Sequence, residues 1–244
     1  MRKLRKFSYA LLVFLFFAMM AHAQGGLLSG AKSALGSLKG GKGLSSDDIV
    51  AGLKEALSRG TTKSSDKLSA VDGFFKDAAV KILLPPEAAK VEKTLRSAGF
   101  GQQVDDAILS LNRAAEDAAK SAAPIFLDAI KGMSVSDGVG ILKGADTAAT
   151  GYLRKSTSVQ LTAAFHPVID TSLQKTGATK YWKTLFETYN KMPFVTKVNT
   201  DLSGYATQKA LDGVFYYVAQ EEKNIRQNPA AQVDDLLKKV FGGK

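Results

Sequence analysis

The residues best able to do chemistry lie near the end of the chain. Gln208, Asp212, Glu221, Glu222 and Arg226 form its densest polar set. Through the same run Leu211, Val214, Val218 and Ile225 recur at three- and four-residue steps, the spacing of one helical face. Stepping three residues on from Val218 brings that stripe through Glu221. A carboxylate there must reach water, find a partner or titrate neutral, because burying it unpaired is costly. One outcome is acid chemistry: Glu221, Glu222 and Asp212, joined by Asp105 or Glu116, offer ligands for a hard cation or a pair of hydrolytic carboxylates. The other is structural: Glu221 pairs with Arg113 or Arg154 and fixes helix register, while Asp212 and Glu222 stay in water. The structural outcome is favoured, since acidic pairs on helices are common and no second motif completes a site.

Other chemistries are excluded more firmly. The chain has no cysteine and two histidines, His22 and His166. A cysteine nucleophile is impossible, and any histidine-based triad must use His166. That residue shares a helical face with Tyr152, Val159 and Ala163 and precedes Pro167, so it reads as a core or kink histidine. No G-x-S-x-G elbow supplies a hydrolase serine. Gly36 to Gly43 reads G-x-x-x-x-G-K-G and lacks the hydroxyl that would hold a metal in a phosphate loop. Nothing has the spacing of a zinc site, a calcium loop or a dinucleotide fingerprint, so no cofactor is expected.

The beginning of the chain reads as an export signal. Arg2, Lys3, Arg5 and Lys6 precede an apolar run from Ala10 to Ala21, and Ala21-His22-Ala23 is a cleavage pattern. The run is short of the roughly 20 apolar residues that span a bilayer. Residues 1–23 are therefore expected to be a signal peptide, with Gln24 as the new N-terminus and the periplasm as destination. Their loss leaves 29 basic residues against 23 acidic, a net +6. That charge aids solubility and gives no nucleic-acid footprint, because no basic cluster interleaves with aromatics. No later stretch is apolar and long enough to span a membrane.

Residues 24–43 read as a Gly-rich linker. A weak basic amphipathic segment on an anionic membrane is the competing reading, disfavoured because each helical glycine costs about 1 kcal/mol. Residues 44–244 are expected to form a single helical domain. Ser45 or Ser46 caps a helix running past Gly60 towards Leu68, Asp72-Gly73 turns, and Val80 to Leu84 is extended before Pro85-Pro86. Further helices start at Pro86 and Gln102, before Ile125, after Ser134 with a capping box, and at Asp146 as cap. The helix after Asp146 runs to about Lys175 with a kink at Pro167. Its apolar residues fall on two sides, Tyr152, Val159 and Ala163 against Leu161, Phe165 and Ile169, which predicts a largely buried central helix. An aromatic helix with Tyr181, Trp182 and Phe186 follows, then the helix carrying the polar set, a break at Asn228-Pro229 and a short closing helix. The class is all-α, a bundle of about eight helices.

Six blocks in order, LSSDDIVAGLKEAL, DGFF, VEKTLRSAGFG, LNRAAEDAAKSAAPIFLDAIKGM, ILKGADTAATGYLRKST and TQKALDGVFYYVAQEEKNIRQNPA, resemble the bacterial family called domain of unknown function 4197. The resemblance spans about Leu44 to Gly242. It implies an exported, helical bacterial protein with no established activity. It also implies that Arg113, Glu116, Asp146, Arg154, Gln208, Asp212 and Glu221 belong to one shared core or site. The functional expectation is a non-enzymatic binding or envelope-associated protein. Its partner would be an envelope protein, or an apolar or lipid-like ligand held in a slot of Tyr181, Trp182, Phe186, Phe215 and Tyr216. The alternative is a carboxylate-based hydrolase or metal-dependent enzyme acting on envelope material through Glu221 and Asp212.

Overall fold

A computed structural model describes residues 45–191, 193–194 and 197–227, and of Tyr181, Leu185 and Thr188 it describes the backbone alone. The expected signal, linker and closing helix lie outside the described residues. The chain divides into two compact units between Ile49 and Val50. The described part of the first unit is the opening turn of α1 (Ser46–Ser69), where Ser45 and Asp48 exchange backbone and side-chain hydrogen bonds.

The second unit, from Val50 on, continues α1 and adds a 3-10 turn (Pro86–Ala88), α2 (Ala89–Ser97), α3 (Gly101–Ala119), α4 (Ala122–Lys131), α5 (Val135–Lys143), α6 (Ala148–Lys175), α7 (Ala178–Tyr189) and α8 (Leu202–Gln227). The fold is all-α, with no strand among the described residues. The Ser134 capping box starts α5 as the sequence predicts. Mid-α1, Thr61, Ser64 and Ser65 are buried, and each hydroxyl donates to the carbonyl four residues back. Gly60 sits where α8 comes close: a Cβ there would stand 3.4 Å from that of Glu221.

α6 is the centre, packing on α3, α4, α5, α7 and α8. Of its buried residues, Ala149, Leu153, Thr157, Leu161, Phe165, Ile169 and Leu173 fall every four residues, with Thr150 beside the first. Each four-residue step turns the stripe by about 40°, so over six steps it winds about 240° around the helix. That winding lets one helix meet five others. It also corrects the expectation of two apolar sides. Leu161, Phe165 and Ile169 are buried, but Tyr152 is only partly so, Ala163 and His166 are exposed, and Val159 is 83 % exposed. His166 is thus a surface residue. The helix continues through Pro167, which lies on its exposed side.

α8 runs antiparallel to α6, since Ser203 meets Asp170 at one end and Glu222 meets Ala149 and Thr150 at the other. Its Gly213 faces the connection between α1 and α2, where a Cβ would lie 2.6 Å from the Phe74 ring and 3.3 Å from Val80 Cβ. Gly213→Ala is expected to destabilise the protein by about 1–3 kcal/mol through overpacking, to be measured by urea unfolding.

Candidate functional site

Glu222, the residue expected in water, is the centre of a buried polar network at the end of α8. It is 4 % exposed. Its Oε1 accepts the Ala149 N–H at 2.9 Å, and its Oε2 accepts the Thr150 N–H at 2.8 Å and the Thr150 hydroxyl at 2.7 Å. Arg226 donates to Oε1 from Nη2 at 2.9 Å and from Nε at 3.2 Å, and Nη2 also reaches the Ile141 carbonyl near the end of α5. The first N–H groups of a helix have no partner within it and carry the positive end of its dipole. Asp146 is exposed, and the N-cap residue Thr147 makes no side-chain cap bond. The expected local cap is therefore replaced by a carboxylate from another helix. The space bounded by Leu53, Leu57, Ile141, Ala149 and Ile225 beside it is about 10 Å³, no larger than a water needs.

A second buried carboxylate organises the α1–α2 connection. Glu116 Oε1 accepts the N–H groups of Phe74 and Phe75 at 3.1 and 3.2 Å. Its Oε2 takes Arg113 Nη1 at 2.6 Å, and Arg113 Nη2 reaches Asp72 at 2.7 Å. Asp72 stands at φ 70°, a conformation aspartate tolerates better than most residues. One turn back on α3, the Asn112 amide accepts the Ile82 N–H and donates to the Ile82 carbonyl, both at 2.8 Å. Asn190 treats Val198 the same way at 2.8 Å, and Trp182 Nε1 donates to the Asn199 carbonyl. Side-chain amides here supply the pairing that a neighbouring strand would give an extended segment.

The seven residues expected together separate into groups. Arg113 and Glu116 share the Asp72 turn. Arg154 lies over the Phe215 ring at 4.3 Å and 3.9 Å from Asp212, which accepts from Gln208 at 3.1 Å. Glu221 pairs with Lys63 at 2.8 Å, in place of the expected arginine. Asp105 pairs with Arg96 at the surface. Asp212 and Glu221 are nine residues apart on α8, about half a turn out of phase, and cannot line one cleft.

Among the aromatics, Trp182 meets Phe186 at 4.4 Å with the rings tilted by 48°, Phe215 meets Phe126 edge-on at 5.7 Å, and Tyr216 is 41 % exposed beside Tyr217. Phe186 and Phe215 are fully buried core rings. The Tyr181 side chain lies outside the described residues. Among the described residues no three His, Cys, Asp or Glu side chains gather as metal ligands.

Sequence reasoning missed Asn112, Asp77, Tyr217, Lys63 and Lys67. The Tyr217 hydroxyl donates to Asp77 and accepts from Lys67, whose ammonium also lies 3.1 Å from Asp77. Burial pushes the Asp77 carboxyl up, but hydrogen bonds from Tyr217, Lys67 and the Ala79 N–H outweigh it and hold it below the usual range. Burial first, then Asp77, raises the Tyr217 phenol, which stays a donor. A depressed folded-state carboxyl contributes stability above its unfolded value and loses it as pH falls through the folded value. Asp77→Asn is therefore expected to cost about 1 kcal/mol at neutral pH. The melting-temperature gap to the parent should close in acid, and a gap unchanged from neutral to acid pH would refute the assignment.

A family model described as protein of unknown function (DUF4197) matches residues 43–242. The chain belongs to the DUF4197 family. No curated protein and no solved structure matches it. In this DUF4197 protein the matched span contains every network above, Glu222–Arg226 and Glu116–Arg113 included. Among the described residues no helix is long and apolar enough to cross a membrane.

Proposed function

We propose that this DUF4197 protein is exported and works by binding an envelope protein through its surface, without catalysis. The observation that carries the reading is the saturation of its buried carboxylates. Glu222 receives Ala149, Thr150 and Arg226, and Glu116 receives Phe74, Phe75 and Arg113. A catalytic carboxylate needs a free lone pair facing a reacting atom in a cleft. These two face helix starts and turns. A protein partner is favoured over an apolar ligand because Phe186 and Phe215 are packed into the core.

Two measurements test it. Mass spectrometry of the protein recovered from a Gram-negative envelope fraction should find Gln24 as first residue; an intact Met1 in the cytoplasm would sink the export claim. Photo-crosslinking in living cells from probes replacing surface residues such as Val71 and Leu83, which are 80 % and 56 % exposed, should give a discrete protein adduct. Turnover of envelope glycans or peptides that is lost in Glu221→Gln would favour the hydrolase instead.

A further inference from the structure

The chain around the α7–α8 connection concentrates positive charge. Between Asp170 and Asp201 stand five lysines, Lys175, Lys180, Lys183, Lys191 and Lys197, against one acid, Glu187, a net +4. All five are exposed. Among the described residues, only Lys183 of the five has an ion pair, with Glu187 at 3.9 Å. The two flanking acids are engaged at the start of α8, where Asp170 accepts from the Ser203 hydroxyl and Asp201 from the Gly204 N–H.

Within this charge stands Phe194, fully exposed and at φ 64°. A bulky side chain is a rare occupant of that left-handed region, where glycine is comfortable. The ring contributes nothing to the core, so folding does not account for a phenylalanine here. Backbone strain of this kind collects at sites that bind. The base of the loop is held in place. Asn190 clasps Val198 through two hydrogen bonds of 2.8 Å, and Trp182 Nε1 donates to the Asn199 carbonyl. Phe194 is thus presented on a pinned support, with Lys191 three residues before it and Lys197 three after.

That combination selects the occupant. A stable protein interface takes about 800 Å² from each partner and is depleted of charge at its centre. One projecting ring between lysines offers neither. An anionic bilayer offers phosphates to the lysines and, just beneath them, an apolar layer to the ring. We propose that Lys191, Phe194 and Lys197 form a docking site for an anionic phospholipid surface, the ring entering below the headgroups. Among the described residues no helix is long and apolar enough to cross a membrane, so the contact is peripheral. The inference rests neither on export nor on the protein partner proposed above.

The test uses the protein as recovered from cells, with vesicles of phosphatidylglycerol and phosphatidylcholine. The parent should co-sediment with them, release at high salt, and ignore phosphatidylcholine alone. Phe194→Gly should weaken binding about tenfold or more, yet melt no lower than the parent because glycine relieves the backbone. Lys191→Gln combined with Lys197→Gln should also weaken it by roughly tenfold or more. In Phe194→Trp the new emission should shift to the blue on vesicles and be quenched by brominated acyl chains. That of Trp182 in the parent, 8 % exposed, should not move. A parent that ignores anionic vesicles, equal binding by Phe194→Gly, or unmoved Phe194→Trp emission on bound vesicles would each overturn the proposal. So would a discrete protein adduct from a photo-probe at position 194 without any binding to vesicles, which would make the occupant a protein.

Discussion

Glu222→Ala is expected to remove about 3–5 kcal/mol of stability, the cost of breaking a buried ion pair while leaving its partner in place. The variant strands four donor groups at once: two backbone N–H groups at the start of α6, the Thr150 hydroxyl and the Arg226 guanidinium. Arg226 keeps one acceptor, the Ile141 carbonyl. For a domain of this size each kcal/mol moves the melting temperature by about 2–4 °C. A fall of roughly 6–20 °C should follow, read by circular dichroism. Glu222→Gln retains an acceptor oxygen and should lose less. Glu222→Ala with Arg226→Ala should cost less than the two single changes added, because the pair acts as a unit. A fall of only a degree or two in Glu222→Ala would mean that water replaces the carboxylate, contrary to the lack of room beside it.

The helices were legible in the sequence because their signals are local. Ser134 with Asp137, the prolines after Leu84 and the glycine at 177 mark ends through contacts a few residues apart. The position of Glu222 was legible too, given the right step. Measured from Leu211 at about 100° per residue, Glu222 falls roughly 20° away, amid Val214, Phe215 and Val218, and Glu221 roughly 80° away. A three-residue step from Val218 selects the wrong neighbour. The buried stripe of α6 misled for a related reason: its period is four residues, so a drifting line of side chains reads as two separate apolar sides.

What the sequence could not give is pairing across distance. Lys63 and Glu221 are 158 residues apart, and Glu116 and Phe74 are 42. Periodicity places a side chain on a face but does not say which backbone amide lies opposite. Asn112 is an instance. It falls between Ile108 and Glu116 on the inward side of α3, a polar residue in an apolar arc, and that signal says only that it is buried. Its partner, Ile82, follows from tertiary packing alone. The ring contacts are of the same kind, since Phe215 meets Phe126, a partner 89 residues away that no local pattern indicates.

Glu116→Ala should rank with Glu222→Ala, at about 3–5 kcal/mol, but its effect should appear first in the α1–α2 connection. Residues 70–85 form neither α-helix nor strand, yet Phe74 and Ile82 in them are fully buried. Turn hydrogen bonds pair part of this backbone, and Glu116 and Asn112 pair Phe74, Phe75 and Ile82 from one face of α3. Without Glu116 the N–H groups of Phe74 and Phe75 lose their acceptor, and Arg113 keeps only Asp72. Each buried donor left unpaired costs about 1–3 kcal/mol. Amide hydrogen exchange should quicken at Phe74 and Phe75 before it does at Leu161 or Phe165 in α6. Glu116→Gln, which can still accept both N–H groups from its amide oxygen, should protect them better than alanine while losing the charge pair with Arg113. Equal exchange in the glutamine and alanine variants would show that charge, and not the acceptor geometry, holds the turn. A loss below about 1 kcal/mol in the alanine variant would show that the connection is held by Phe74 packing against α8 and not by the carboxylate.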